Sequence, residues 1–172
     1  LKHCFKHQPE TQLNKWFKYL QLTSYALLSL AHGSNDAQKT MGVITVLLMS
    51  ASWLDGPFHV PFWVVISCYL MISLGTLFGG WRIVHTMGSC ITQLNSMRGC
   101  AAETGAAMVI LASTEGGIPV STTQTVTGSI AGVGMSNTEG STHWRMIKII
   151  CIAWVFTIPA AGLVSAGIML LF

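Results

Sequence analysis

The polar side chains of His32, Ser34, Asn35, Asp36, Gln38 and Lys39 crowd into the stretch AHGSNDAQKTMG (31–42), between two strongly apolar runs. Asp36 offers anionic oxygen for a cation or a proton, Asn35 and Ser34 offer hydrogen-bonding groups, and Gly33 permits an unwound turn. A second island, GGIPVSTTQTVTG (116–128), presents the hydroxyls of Ser121, Thr122, Thr123 and Thr125 just after Gly117 and Pro119. Proline suits the first turn of a helix, where its missing amide hydrogen is not needed. The N–H groups and hydroxyls that follow would converge on one point with the positive end of the helix dipole behind them. Such an arrangement is an oxyanion cradle without a formal charge.

Each feature also has a plainer reading. Asp36 and Lys39 stand at i,i+3 and can neutralise each other on one helix face. Salt-bridge duty for Lys39 is at least as reasonable as contact with a ligand. A lone membrane histidine such as His32 more often packs or bonds between helices, and Ser and Thr often bond back to their own helix carbonyls. Against the plain reading of the first island, an ionisable group at the bilayer centre costs at least ~2.5–3.5 kcal/mol, so the pair needs a reason to be there. Gly128, Gly132 and Gly134, with Ser129 and Ala131, read as a close helix-packing face.

The elements that must carry these islands follow from composition. Of 172 residues, 51% are hydrophobic and 9% charged, with a mean hydropathy of +0.56, whereas a soluble domain carries about 25% charged residues. This is the composition of an all-α membrane protein. Apolar runs at Tyr19–Ser34, Thr40–Leu54, Val60–Gly80 and Ile147–Phe172 approach the ~20 residues of a membrane-crossing helix. The run from Tyr19 to Leu54 is too long for one straight crossing, so a helix broken near mid-membrane, or two helices meeting there, is expected. The arms Cys100–Glu115 and Ile118–Met135 are each short for a crossing, at roughly 24–27 Å of helix, and predict a re-entrant helical hairpin. Its tip at Gly116, Gly117 and Pro119 should line a cavity, since irregular backbone survives at that depth only where protein or water satisfies it.

Lys2, Lys6, Lys15 and Lys18 precede the first run and place residues 1–18 in the cytoplasm as a polar, basic segment ahead of the membrane unit 19–172. Trp16, Phe17 and Tyr19 form an expected interfacial belt. The turn LDGPFHVP, without Lys or Arg, faces outside. Trp81 and Arg82 mark the return, Ile83–Met97 lies in the interface or dips partway, and Trp144, Arg145 and Lys148 anchor the last helix inside. Every Lys and Arg except Lys39 is then cytoplasmic.

No cleaved signal is read, because the basic start is followed by many apolar runs. The chain begins with Leu1, which suggests a fragment or processed product. Five scattered cysteines show no metal-ligand spacing and read as small buried hydrophobes. Basic residues form no stripe interleaved with aromatics, which argues against nucleic acid. No G-x-S-x-G or H-E-x-x-H pattern supports an enzyme, and no cofactor is implied.

The stretches AHGSNDAQKTMG and GIPVSTTQTVTGSIAGVG resemble the two signatures of the second repeat of PiT-type inorganic phosphate transporters in their bacterial and archaeal form. PFWVVISCYLMISLGTLFGGWRIVHTMG and AWVFTIPAAG are similar to the same family. The resemblance implies a secondary transporter of two inverted repeats, with phosphate bound between them and carried with sodium ions or protons. By residue matching, Asn35 and Asp36 fall on positions that hold phosphate and the coupling cation, and Ser121, Thr122 and Thr123 on the hairpin hydroxyls. Ser34, His32, Lys39 and Gln124 are accessory candidates; Gln38 and Lys39 match the bacterial variant, and Gln124 stands where many bacterial members have His.

The chain carries one copy of each island, so the resemblance implies half of a site. An N-terminal repeat or second chain would be needed to complete it, with residues 1–18 the end of the loop joining the repeats. The expected function is cation-coupled phosphate symport in a cell membrane, in a prokaryote the inner one. Sulfate transport on the same scaffold, or a split membrane subunit inactive without its partner, are the alternatives.

Overall fold

The computed structural model describes residues 10–92, 94–136 and 142–171. Lys2, Lys6 and Cys4 lie outside them. Five α-helices follow one another: α1 Glu10–Ser50, α2 Phe62–His85, α3 Ser96–Glu115, α4 Thr122–Met135 and α5 Trp144–Met169, with a π-helical turn at Thr86–Cys90 continuing α2. No strand occurs among the described residues.

α1 corrects the expected break: it is helical without interruption through both Gly33 and Gly42 for 41 residues, about 60 Å at 1.5 Å per residue. The physical reason lies in its side chains. They find partners along the helix and on a neighbouring loop, so the backbone bonds need not open to satisfy them. The helix ends at Ser50, just before Ser52 adopts φ 57°, and Gly56 takes φ 107° within the turn read from LDGPFHVP.

Two seams run down α1. On one, Phe17, Gln21, Ser24, Leu28, Ala31 and Asn35 recur at alternating spacings of four and three and are buried or half-buried. They face the small residues of α3, of which Gly99, Ala102, Ala106 and Ala107 are buried. Contacts at Gln21 with Gly99, Ser24 with Glu103 and Asn35 with Thr114 advance together, so α1 and α3 run parallel. Small residues let the backbones approach closely. On the second seam Ala37 and Met41 pack with Val64 and Cys68 of α2. Phe17, expected in the interfacial belt, is buried at 9% exposure because it falls on the α3 seam, whereas Trp16 and Tyr19 are exposed.

A second cluster joins Ile91, Ala102 and Ile130, with Ile147 and Ile150 at the start of α5 packed against it. The segment expected to skim the interface therefore anchors the core: Ile91 and Thr92 are fully buried. Elsewhere α5 buries no residue. Two helical stretches, Phe62–Trp81 and Trp144–Met169, are long and apolar enough to cross a membrane by length and composition. The cysteines among the described residues divide: Cys68 is buried, Cys90 and Cys100 are half-buried and Cys151 is exposed, so of these four burial as small hydrophobes holds fully only for Cys68.

Of the expected glycine face on α4, only Gly134 is in tight contact, against Thr92 and Thr142; a Cβ at Gly128 or Gly132 would meet nothing within 4 Å. α3 and α4 form the expected helical hairpin, and its tip explains why Gly-Gly-x-Pro is there. The Ile118 N–H donates to the Ser113 carbonyl at 2.8 Å and the Gly117 N–H to the Thr114 carbonyl at 3.1 Å, while Gly117 takes φ 67°. That is a Schellman ending, with glycine at the left-handed position and proline two residues beyond.

Candidate functional site

The hairpin tip delivers the second polar island onto the first. Asp36 sits half-buried on α1, and the Thr122 hydroxyl, 86 residues away in sequence, donates to its Oδ2 at 3.1 Å. Lys39 Nζ lies 3.3 Å from Asp36 Oδ1, and Asn35 Nδ2 donates to that oxygen at 3.2 Å. His32 Nδ1 stands 3.4 Å from Oδ2. The carboxylate is thus bracketed by a hydroxyl, an amide, an ammonium and an imidazole.

Val120, which the sequence reading passed over, completes the junction with its backbone. Its carbonyl accepts from Asn35 Nδ2 at 3.2 Å and also from Lys39 Nζ. The extended segment between the α3 ending and the α4 start leaves that carbonyl outside any helix, where α1 can reach it. Thr114, the last but one residue of α3, also joins, its hydroxyl 3.5 Å from Asn35 Oδ1. Its position just before Gly-Gly was the available signal. A separate polar contact ties the other end of the α1–α3 seam, where Ser24 Oγ donates to Glu103 Oε2 at 2.6 Å. An acid among the alanines of an apolar arm was the clue to it.

The structure gathers Asn35, Asp36, Lys39, His32 and Thr122, and sets Ser121, Thr123 and Gln124 differently. Pro119 does not open α4: the helix begins at Thr122 with Ser121 as its N-cap, because the Schellman ending and the Val120 bonds hold 118–120 extended. Ser121 Oγ accepts from the Gln124 N–H at 3.4 Å, so this hydroxyl caps the helix. Thr123 and the Gln124 side chain are exposed beside the junction. Asn35 and Thr122 are each only 4% exposed, which makes them internal ties. Ser34 accepts from Gln38 Nε2 at 3.4 Å. Thr125 bonds back to the Ser121 carbonyl at 3.0 Å, the plain behaviour of a helical hydroxyl.

By its chemistry the junction can hold a cation through oxygen alone. The amides of Thr122 and Thr123, which helix geometry leaves without intrahelical acceptors, can meet an anion beside it.

Residues 2–165 match the model of the phosphate transporter family. The chain belongs to that family. It is 56% identical to the "Probable low-affinity inorganic phosphate transporter" of Rhizobium meliloti over 162 residues, covering 94% of this chain and 48% of the relative. The protein of the same name in Bacillus subtilis is 37% identical, with 96% and 50% covered. "Sodium-dependent phosphate transporter 1-A" of Xenopus laevis is 30% identical, with 96% and 24% covered. Among solved structures, one of a sodium-dependent phosphate transporter superposes with a TM-score of 0.76 at 27% identity, over 90% of this chain and 39% of that one. The family members matched are named as transporters, not enzymes. The chain spans about half the length, or less, of these curated relatives.

Proposed function

We propose that this chain supplies one half of a cation-coupled phosphate transport site, built where the α3–α4 tip meets Asp36 and completed by an N-terminal repeat or a second chain. The observation that carries this reading is the Thr122–Asp36 hydrogen bond, which joins the two polar islands at one point. Phosphate is too costly to desolvate alone. In the proposed mechanism its water is replaced by the exposed hydroxyls of Ser121 and Thr123 and the helix-start amides. Asn35 and Thr122 hold Asp36 in place from behind. Asp36 is the fixed negative charge that a cation, mobile or tethered, meets beside the anion. Because anion and cation share one electrostatic environment, each lowers the cost of binding the other. The coupling ion is sodium or a proton, and the setting is a multi-pass cell membrane with the basic N-terminal segment on the cytoplasmic side. The relatives' names favour phosphate over sulfate.

The test is a chimera of the Rhizobium meliloti relative whose matched residues are replaced by this chain, assayed for radiolabelled phosphate uptake in proteoliposomes with unlabelled phosphate and sulfate as competitors. Asp36→Asn removes charge-assisted bonds worth about 1.5–3 kcal/mol, so cation-dependent uptake should fall roughly 10- to 100-fold. Uptake that survives the substitution at the wild-type rate refutes the reading.

A further inference from the structure

Lys39 is the one Lys or Arg that the charge distribution does not assign to the cytoplasm, and its ammonium meets two oxygens. Nζ lies 3.3 Å from Asp36 Oδ1 and donates to the Val120 carbonyl. The other Asp36 oxygen is held by the Thr122 hydroxyl, and the Asn35 amide bridges the same carboxylate and the same carbonyl. A carboxylate and a backbone carbonyl outside any helix, with a hydroxyl beside them, are oxygen ligands of the kind that hard cations take. In this chain a covalently attached cation already stands on it.

We propose that the Lys39 ammonium is a built-in substitute for a free monovalent cation, occupying the Asp36–Val120 oxygen site so that this half of the transporter binds no sodium. An ammonium has three donors and no acceptor. Here it bridges an anionic oxygen three residues back on its own helix and a neutral oxygen 81 residues away in sequence, as a bound ion would. A sodium ion on the same two oxygens would sit in contact with a like charge, and the ammonium, being tethered, competes at high local concentration. Lys39 is therefore a residue that sets cation specificity, and the transporter's mobile cation is held elsewhere. The inference rests on the proposed transport reading for its meaning as coupling, but its cation chemistry stands on the geometry alone.

The experiment is equilibrium binding of radiolabelled sodium to the full chain in lipid nanodiscs. Wild type should show no saturable component. Lys39→Met, which keeps the stem, and Lys39→Ala should each gain a saturable component that lifts bound sodium about tenfold above the wild-type background, and sodium chloride but not choline chloride should raise their melting temperatures. The gain should vanish when Asp36→Asn is added, and Lys39→Arg should show none. Saturable sodium binding by wild type that Asp36→Asn abolishes overturns the proposal without any Lys39 variant. Folded Lys39 variants, judged by helical circular dichroism and cooperative melting, that gain no sodium also overturn it. Phosphate uptake by the chimera is scored separately: its failure alongside a sodium gain rejects the phosphate reading and leaves the cation site standing.

Discussion

Thr122 and Thr123 are adjacent, alike in chemistry, and set to different tasks by one helical step of about 100°. Thr122 turns inward to Asp36, while Thr123 turns to the exposed side of the α4 start. Replacing each by valine keeps the shape and removes the hydroxyl. Thr122→Val leaves a half-buried carboxylate short of a donor, at a cost of about 1–3 kcal/mol. It should lower the melting temperature and reduce uptake in the chimera. Thr123→Val should leave melting within about 0.5 kcal/mol of wild type, as surface changes do, and weaken phosphate binding about tenfold. Equal effects of the two on melting would show that the inward and outward assignments are wrong. Both polar islands and the Asp36–Lys39 pairing were legible from residue types and spacing. The Val120 carbonyl was not legible, because a backbone acceptor leaves no mark in residue type. Nor was the inward turn of Thr122, which depends on where the Schellman ending releases the chain.

Helix class and rough extent were readable from the apolar runs, and the hairpin from its Gly-Gly-x-Pro tip. The unbroken α1 was not, since polar residues in an apolar run look the same whether they interrupt a helix or project from it. What decides is whether partners exist elsewhere in the fold, and Thr122 and Val120 are such partners. The glycines of α4 show the same dependence on context. Gly134 is where a Cβ would lie 2.5 Å from Thr142 Oγ1 and 3.2 Å from Thr92 Oγ1. Both are β-branched and stiff at χ1, and Thr92 is fully buried. Gly134→Ala should therefore destabilise by about 1–3 kcal/mol, or roughly 2–4 °C of melting temperature per kcal/mol for a chain of this size. Gly132→Ala places its methyl in open space and should be neutral or stabilising by up to about 1 kcal/mol. Thermal melts of the two variants in nanodiscs check the pair, and a reversed order would contradict the α4 packing.

The core of the molecule is the packing of α1 against α2 and α3 and of α3 against α4, and α5 touches it chiefly through Ile147 and Ile150. Beyond that contact it exposes Ile152, Val155, Phe156, Ile158, Leu163, Val164, Ile168 and Met169. At about 25 cal/mol per Å² of apolar surface such a face is costly in water, and a bilayer removes that cost. With 26 residues, α5 is about 39 Å long, enough for a ~30 Å hydrocarbon core. Trp144 opens the helix at the level expected for an interfacial aromatic. Trp154, ten residues on, is then about 15 Å deeper, near the bilayer centre. Variants that keep one tryptophan and replace the others with phenylalanine make these depths measurable with brominated lipids. Trp154 fluorescence should be quenched most by bromine far down the acyl chain, and Trp144 by bromine near the headgroup. If aqueous acrylamide quenched both equally while the lipids quenched neither, α5 would lie outside the bilayer. Its apolar face would then need a protein partner along its whole length.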